Sequence, residues 1–203
     1  MPQEPTTALV RALAHHGLTV ATAESLTGGM LAAEIVAVPG ASATFLGGIV
    51  AYSSELKRTL LGVDAARLAE TGPVDAMVAE QMAEGVRAAC AVAGRPADLG
   101  LATTGVAGPD PDPQTGQRAG TVYLGIATAH GARSVRLALE GDRATIRSAT
   151  VTAAISEALA ELNTRMPPSD GKTNGPAAQQ PGAPTRPDAR DRMKTPTGNE
   201  DPR

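Results

Sequence analysis

The sequence predicts an α/β fold, a three-layer α/β/α architecture with a mixed parallel/antiparallel sheet. Three observations lead there. Stretches with apolar residues at helical spacing interleave with short strand-like stretches along the chain. The last two strand-like stretches are joined only by His130-Gly131 and read as a hairpin, so part of the sheet is antiparallel. The aromatic residues are Phe45, Tyr52 and Tyr123, and there is no Trp. Aliphatic and small side chains must therefore build the core, which favours close helix-on-sheet packing over a sandwich or a base-stacking platform.

Each element has its own signal. Residues 5–16 place Leu9, Val10 and Leu13 on one helical face and stop at Gly17. A strand is predicted over 18–23, followed by a helix that opens at ESLTGG and runs to Val38, where Pro39-Gly40 ends it. GGIVAYS, 47–53, reads as the second strand. Ser53 or Ser54 caps a helix over 54–61, with Glu55 in its first turn. After Gly72-Pro73, Asp75 is placed to cap a helix over 75–93 whose inward stripe is Val78, Met82, Val86, Cys90 and Ala93. Cys90 on that stripe reads as a buried core thiol. Strands are predicted over 98–104, 120–129 and 132–139. A final helix over 141–164 turns Val151, Ile155, Leu159 and Leu162 inward.

The chain divides by composition. Residues 167–203 hold eight of the sixteen prolines, and Met193 is their only large apolar side chain. Such a segment buries too little surface to offset its ordering entropy, so it is expected to be a disordered Pro/Gly-rich tail behind a domain at 1–166. The net charge of −3 argues against a polyanion binder, so no nucleic-acid partner is expected. A single cysteine excludes an intrachain disulfide and a cysteine-based zinc site. His15 and His16 point about 100° apart on a helix and make no chelating pair. No apolar run reaches about 18 residues, and the N-terminus lacks a basic-then-apolar pattern. A cytoplasmic protein without membrane contact is the expectation.

Four polar blocks could carry chemistry. Glu24-Ser25-Leu26-Thr27-Gly28-Gly29 is a strand-to-helix turn, where hydroxyls and unpaired N–H groups gather at the carboxyl end of a strand. Ser25 there is a candidate nucleophile with backbone N–H groups as an oxyanion site; the plain alternative is a capping serine with two packing glycines. Tyr52 and Lys57 lie at the second such junction. With histidine poorly placed, Lys57 or Tyr52 is the candidate base, because desolvation lowers a lysine pKa. The block 103–110 (TTGVAGPD) supplies glycines that admit a phosphate, with Asp110 and Asp112 able to hold a ribose or a cation. Arg143 begins the last helix and could fork onto a phosphate or carboxylate.

TAESLTGG at 22–29, the block from Phe45 through GGIVAYS to Lys57 and on to LLGV at 60–63, TGVAGPD at 104–110 and GTVYLGIAT at 120–128 together resemble the CinA C-terminal-domain family. The resemblance covers about residues 5–163. It implies a nicotinamide-nucleotide amidohydrolase that converts nicotinamide mononucleotide to nicotinate mononucleotide and ammonia with no metal and no cofactor. By motif, Ser25 matches the nucleophile, and Tyr52 and Lys57 match the pair that activates it. Thr104 matches the hydroxyl before the GxAGP loop and Arg143 the arginine that opens the last helix; with Thr27, Gly28, Gly29, Gly105 and Gly108 they are the expected substrate-binding residues. The 5′-phosphate would rest on the Gly105–Gly108 turn or on Arg143, and N–H groups at the start of the Ser25 helix would hold the oxyanion. Leu26, Ser54, Asp75, Pro111 and Ala119 depart from the family's usual residues, and none of them is a reacting group. The resemblance also implies a homo-oligomer. A non-catalytic nucleotide-binding or competence- and DNA-damage-associated interaction module is the alternative.

Overall fold

The computed structural model describes residues 3–165, and the predicted tail at 167–203 lies outside the described residues. The first helix, α1 (Glu4–His16), buries Leu9, Val10 and Leu13. It ends where Gly17 adopts φ 64° and the Gly17 and Leu18 N–H groups close onto the carbonyls of Ala14 and Leu13. That cap consumes Leu18, so β1 spans Val20–Glu24 and begins two residues later than predicted.

The next difference bears on the site. The helix expected to open at the ESLTGG block starts only at Met30, as α2 (Met30–Val36). Gly28 and Gly29 take φ of 59° and 96°, outside the right-handed helical region, so residues 25–29 form a turn before α2. After a short 3-10 turn, β2 (Phe45–Val50) ends three residues before the predicted limit. Ser53 then caps α3 (Ser54–Leu61) by accepting from the Glu55 N–H. A short helix absent from the sequence reading, α4 (Ala65–Thr71), is capped by Asp64 and has no buried residue, hence no apolar stripe to betray it. Asp75 caps α5 (Ala76–Ala89) as expected, accepting from Met77 and Val78. The helix stops short of 93. Ala93 lies exposed at φ 51° in a turn closed by Val92 and Arg95, and Cys90 is the half-buried C-cap, with a thiol whose pKa burial raises.

Three further strands, β3 (Leu99–Gly105), β4 (Thr121–Thr128) and β5 (Gly131–Ala138), precede α6 (Arg143–Arg165). Asp142 accepts the Thr145 N–H at the head of α6. Val151, Ile155 and Leu162 face inward as predicted, while Leu159 is only half-buried and Ala154 and Ala158 fill the stripe. The sheet order is β2-β1-β3-β4-β5. β1 pairs in parallel with β2 and β3, and the β3–β4 and β4–β5 pairs are antiparallel, the last two forming the predicted hairpin.

The two faces of this sheet differ in side-chain size. Val20, Leu101, Val122, Leu124 and Ile126 pack with α1, α2 and α6. The other face presents Ala21, Ala23, Ala102 and Ala127 to α5. Gly100 and Gly125 lie so close to α5 that a Cβ at either would fall inside 3.0 Å of a backbone carbonyl oxygen, of Ala83 and Ala79 respectively. Two unlike helix layers on one mixed sheet give the three-layer α/β/α architecture. No helix among the described residues is long and apolar enough to cross a membrane.

Candidate active site

The parallel strands β1, β2 and β3 end on the same side of the sheet, and the chain leaves β1 toward one neighbour and later enters β3 on the other. In open α/β sheets such a switch point is where ligands collect. The Ser25 N–H donates to the Thr103 carbonyl at 2.9 Å, which fastens the end of β1 to β3.

Ser25 and Lys57 meet below this crevice. Lys57 Nζ donates to Ser25 Oγ at 2.9 Å and to the Ala51 carbonyl at 2.6 Å. The lysine is fully buried, its stem reaching inward from α3. No carboxylate forms an ion pair with it among the described residues. Desolvation without a compensating charge lowers its pKa to about 8, so a substantial share of the amine is neutral in mildly basic solution. A neutral amine keeps a lone pair for the Ser25 proton while still donating to Ala51.

Above the pair lies a cavity of about 150 Å³ lined by Ser25, Leu26, Tyr52, Thr104, Asp112 and Arg143, among others. Arg143 spans its exposed rim, donating to the Gly108 carbonyl at 3.0 Å and to the Tyr52 hydroxyl at 3.1 Å. The Thr104 hydroxyl donates to the Pro73 carbonyl at 2.6 Å, and Asp112 braces its own loop through the Thr115 N–H and hydroxyl. A larger depression of about 380 Å³ lies at the opposite ends of the strands, around Leu18, Leu99 and His130. Its one hydroxyl, Thr128, accepts from the His130 backbone N–H, whereas Ser25 meets a buried amine, so chemistry rather than size marks the site.

The predicted residues divide accordingly. Ser25, Tyr52, Thr104, Gly105 and Arg143 line one cavity, with Lys57 directly beneath and Gly108 reaching it through Arg143. Tyr52 is 62% exposed and its hydroxyl is held by Arg143, with no hydrogen bond to Ser25 or Lys57. Thr27, Gly28 and Gly29 do not line the cavity. The Thr27 hydroxyl is fully buried and bonded to that of Thr103 at 2.7 Å, so it serves the turn and is closed to a ligand. The helix-start donors expected for an oxyanion are also taken. The Glu24 carboxylate, 1% exposed, accepts from the N–H groups of Gly29, Leu31 and Ala32.

Sequence reasoning missed Glu24 and Arg147. Arg147 donates to the Leu26 carbonyl at 2.9 Å and the Thr27 carbonyl at 2.8 Å. Its signal was present: it stands four residues after Arg143, on the same face of one helix. Glu24 was visible as a lone acid closing an otherwise uncharged strand.

Fold and site together define a class: an α/β/α domain that presents a serine–lysine pair at the carboxyl ends of its parallel strands. A family model described as the CinA C-terminal domain matches residues 3–162. The chain belongs to that family. It is 42% identical over 166 residues to a CinA-like protein of Frankia casuarinae, covering 82% of this chain and 36% of that protein. A CinA-like protein of Geobacter sulfurreducens is 46% identical over 149 residues, 73% of this chain and 35% of that one. The chain thus spans about a third of the length of these relatives. Among solved structures, a CinA superfamily protein from Klebsiella pneumoniae superposes with a TM-score of 0.73 at 33% identity, over 79% of this chain and 97% of that one. The competence/damage inducible protein CihA from Agrobacterium tumefaciens gives 0.68 at 31% identity, over 80% and 98%.

Proposed function

We propose that this domain is a serine amidohydrolase acting on nicotinamide mononucleotide. The observation that carries the reading is the buried, unpaired Lys57 amine bonded to Ser25 Oγ. Burying an ammonium without a partner is costly, and a binding module gains nothing from it. An amidase does gain, because the same burial turns the lysine into a base near neutrality.

In the first step the Ser25 oxygen bonds to the carboxamide carbon and its proton passes to Lys57. The tetrahedral intermediate collapses with cleavage of the C–N bond, Lys57 returns the proton to the departing nitrogen, and ammonia leaves. A water then attacks the acyl-serine, giving one proton to Lys57, and the carboxylate departs as Ser25 regains its hydrogen. Lys57 alone suffices as the base. Tyr52, held by Arg143 at the rim, presents its ring to the pyridine instead of sharing in the proton transfer. The cavity takes the reacting end of the nucleotide, while Arg143 and the Gly105–Gly108 segment receive the phosphate at its rim. Ammonia release from nicotinamide mononucleotide by the purified protein, with Ser25→Ala as control, tests the reading. Equal release by the two proteins would overturn it.

A further inference from the structure

Two opposite charges line the cavity above Ser25, the Asp112 carboxylate and the Arg143 guanidinium. Among the described residues no ion pair joins them. Arg143 engages the Gly108 carbonyl and the Tyr52 hydroxyl instead. Asp112 is fixed by its own loop: its Oδ1 accepts from the Gln114 N–H at 3.1 Å and from the Thr115 N–H and hydroxyl at 2.8 Å each. Its N–H donates to the Gln117 carbonyl at 2.8 Å, and its carbonyl accepts from the Gly116 N–H at 2.8 Å. The Gln117 side chain donates to the Val74 carbonyl at 2.7 Å, which ties the loop to another wall of the same cavity. All of these bonds leave Oδ2 without a partner, and that oxygen is not sealed from the surface. A carboxylate held this firmly with one oxygen free is a preorganised acceptor of positive charge.

We infer that Asp112 is a specificity-determining residue that selects a positively charged ring, so that the site takes N1-substituted pyridinium carboxamides and discriminates against their neutral-ring counterparts. The inference rests on the nucleotide reading of the site. Nicotinamide mononucleotide carries a cationic ring beside the carboxamide and an anionic phosphate at its far end. With the carboxamide at Ser25 and the phosphate at Arg143, the ring lies in a cavity of about 150 Å³ whose only acidic residue is Asp112. A ring that fills so small a space displaces water from between the two charges, which strengthens their attraction over that at an open surface. A neutral ring gains none of this and still strips water from the carboxylate. Selection therefore has an attractive and a repulsive side. A contact from Asp112 to the ribose would act alike on charged and neutral rings, and this separates the two roles open to it.

The test measures binding to the full chain carrying Ser25→Ala, which prevents turnover, by titration calorimetry with EDTA present so that no metal bridges ligand and carboxylate. Two ligands are compared: nicotinamide mononucleotide and its reduced 1,4-dihydro form. They share carboxamide, ribose and phosphate and differ in the charge of the ring. The oxidised form is expected to bind about ten-fold tighter or more. Adding Asp112→Asn is expected to bring that ratio close to one by weakening the oxidised ligand alone. Asn keeps an oxygen for the Gln114 and Thr115 donors, so the loop brace survives while the charge goes. If the Asn variant does not fold, as judged by circular dichroism, Asp112→Ser is read in its place, because its hydroxyl still accepts from a backbone N–H. Equal weakening of both ligands makes Asp112 a ribose contact or a brace and overturns the inference. A ratio that the substitution leaves unchanged, or binding of neither ligand, also overturns it. Ammonia release by wild-type protein is followed alongside. Release with an unchanged binding ratio sinks the inference and leaves the amidase reading intact, whereas no release with a ratio that collapses in Asp112→Asn does the reverse.

Discussion

Lys57 lies fully buried with its amine 2.9 Å from the hydroxyl of Ser25, although 32 residues separate the two in sequence. The pair is held from both sides, since the same amine donates to the Ala51 carbonyl just past β2, and the Ser25 N–H is fastened to β3. A nucleophile and base fixed in this way act as a unit. Removing either by Ser25→Ala or Lys57→Met is expected to lower kcat for the amide by at least about a thousand-fold, and the double variant to be hardly worse than either single one. Steady-state kinetics of the three variants check this, and additive losses would contradict it.

The rate should depend on pH through the same lysine. Lys57 must be neutral to accept a proton, and burial has brought its pKa down to about 8. The expected kcat/KM therefore rises with pH and levels off above an inflection near 8. Lys57→Arg stays charged throughout and is expected to be inactive across the range. A profile that falls as pH rises through 8 would exclude Lys57 as the base.

Stability has the same sign of pH linkage as for a salt-bridged carboxylate, because here too the folded pKa is the lower one. The folded pKa of Lys57, about 8, lies below the ordinary lysine value of 10.5, so between these values the unfolded chain binds more protons than the folded one. Stability then increases with pH across that window, and the buried charge is a burden below it. Lys57→Met removes the burden, so any stability advantage it has over wild type at pH 7 should shrink by as much as about 3 kcal/mol as pH approaches 10. Urea titrations at several pH values measure the difference, and a gap that does not change with pH would refute the claim.

Tyr52 separates two versions of the chemistry. Its hydroxyl is engaged by Arg143 at an exposed rim and has no bond to the Ser25–Lys57 pair. Tyr52→Phe is therefore expected to cost about ten-fold or less, whereas Arg143→Ala should raise KM more than it lowers kcat because it removes a substrate contact. A loss in Tyr52→Phe as large as that of Lys57→Met would make the phenol part of the base.

A packing test is independent of function. Gly85 sits inside α5, where replacement by Ala ordinarily gains about 1 kcal/mol of helix stability. Here a Cβ would fall inside 3.0 Å of the Leu61 carbonyl at the end of α3. Backbone cannot yield as a flexible side chain can, so Gly85→Ala is expected to destabilise by about 2 kcal/mol or more. Denaturant unfolding decides the sign.

The order of the strands and of every helix but one, the β4–β5 hairpin and the Ser25, Tyr52, Lys57 and Arg143 candidates were legible in the sequence, because each rests on local patterning or on a short motif. Helix α4 was not legible, since it buries nothing and leaves no apolar period. The start of α2 was misread for a related reason. A Ser-x-Thr-Gly-Gly run after a strand looks like a helix cap, and only the left-handed Gly28 and Gly29 show that the chain turns first.

What the sequence determined by itself is the identity of the candidate groups and the layers that carry them: a hydroxyl, an amine and an arginine placed at the ends of elements whose periods are written locally. Tertiary structure alone decided which of those groups touch, which are sealed off and which direction the backbone donors face. The physical reason is that a lysine pKa is lowered, and a backbone donor is engaged or sealed off, by the water it loses and the partners it meets. Those losses are imposed by residues far away in the chain, Ala51, Thr103, Glu24 and Arg147 among them, that no local pattern connects to the turn at Ser25.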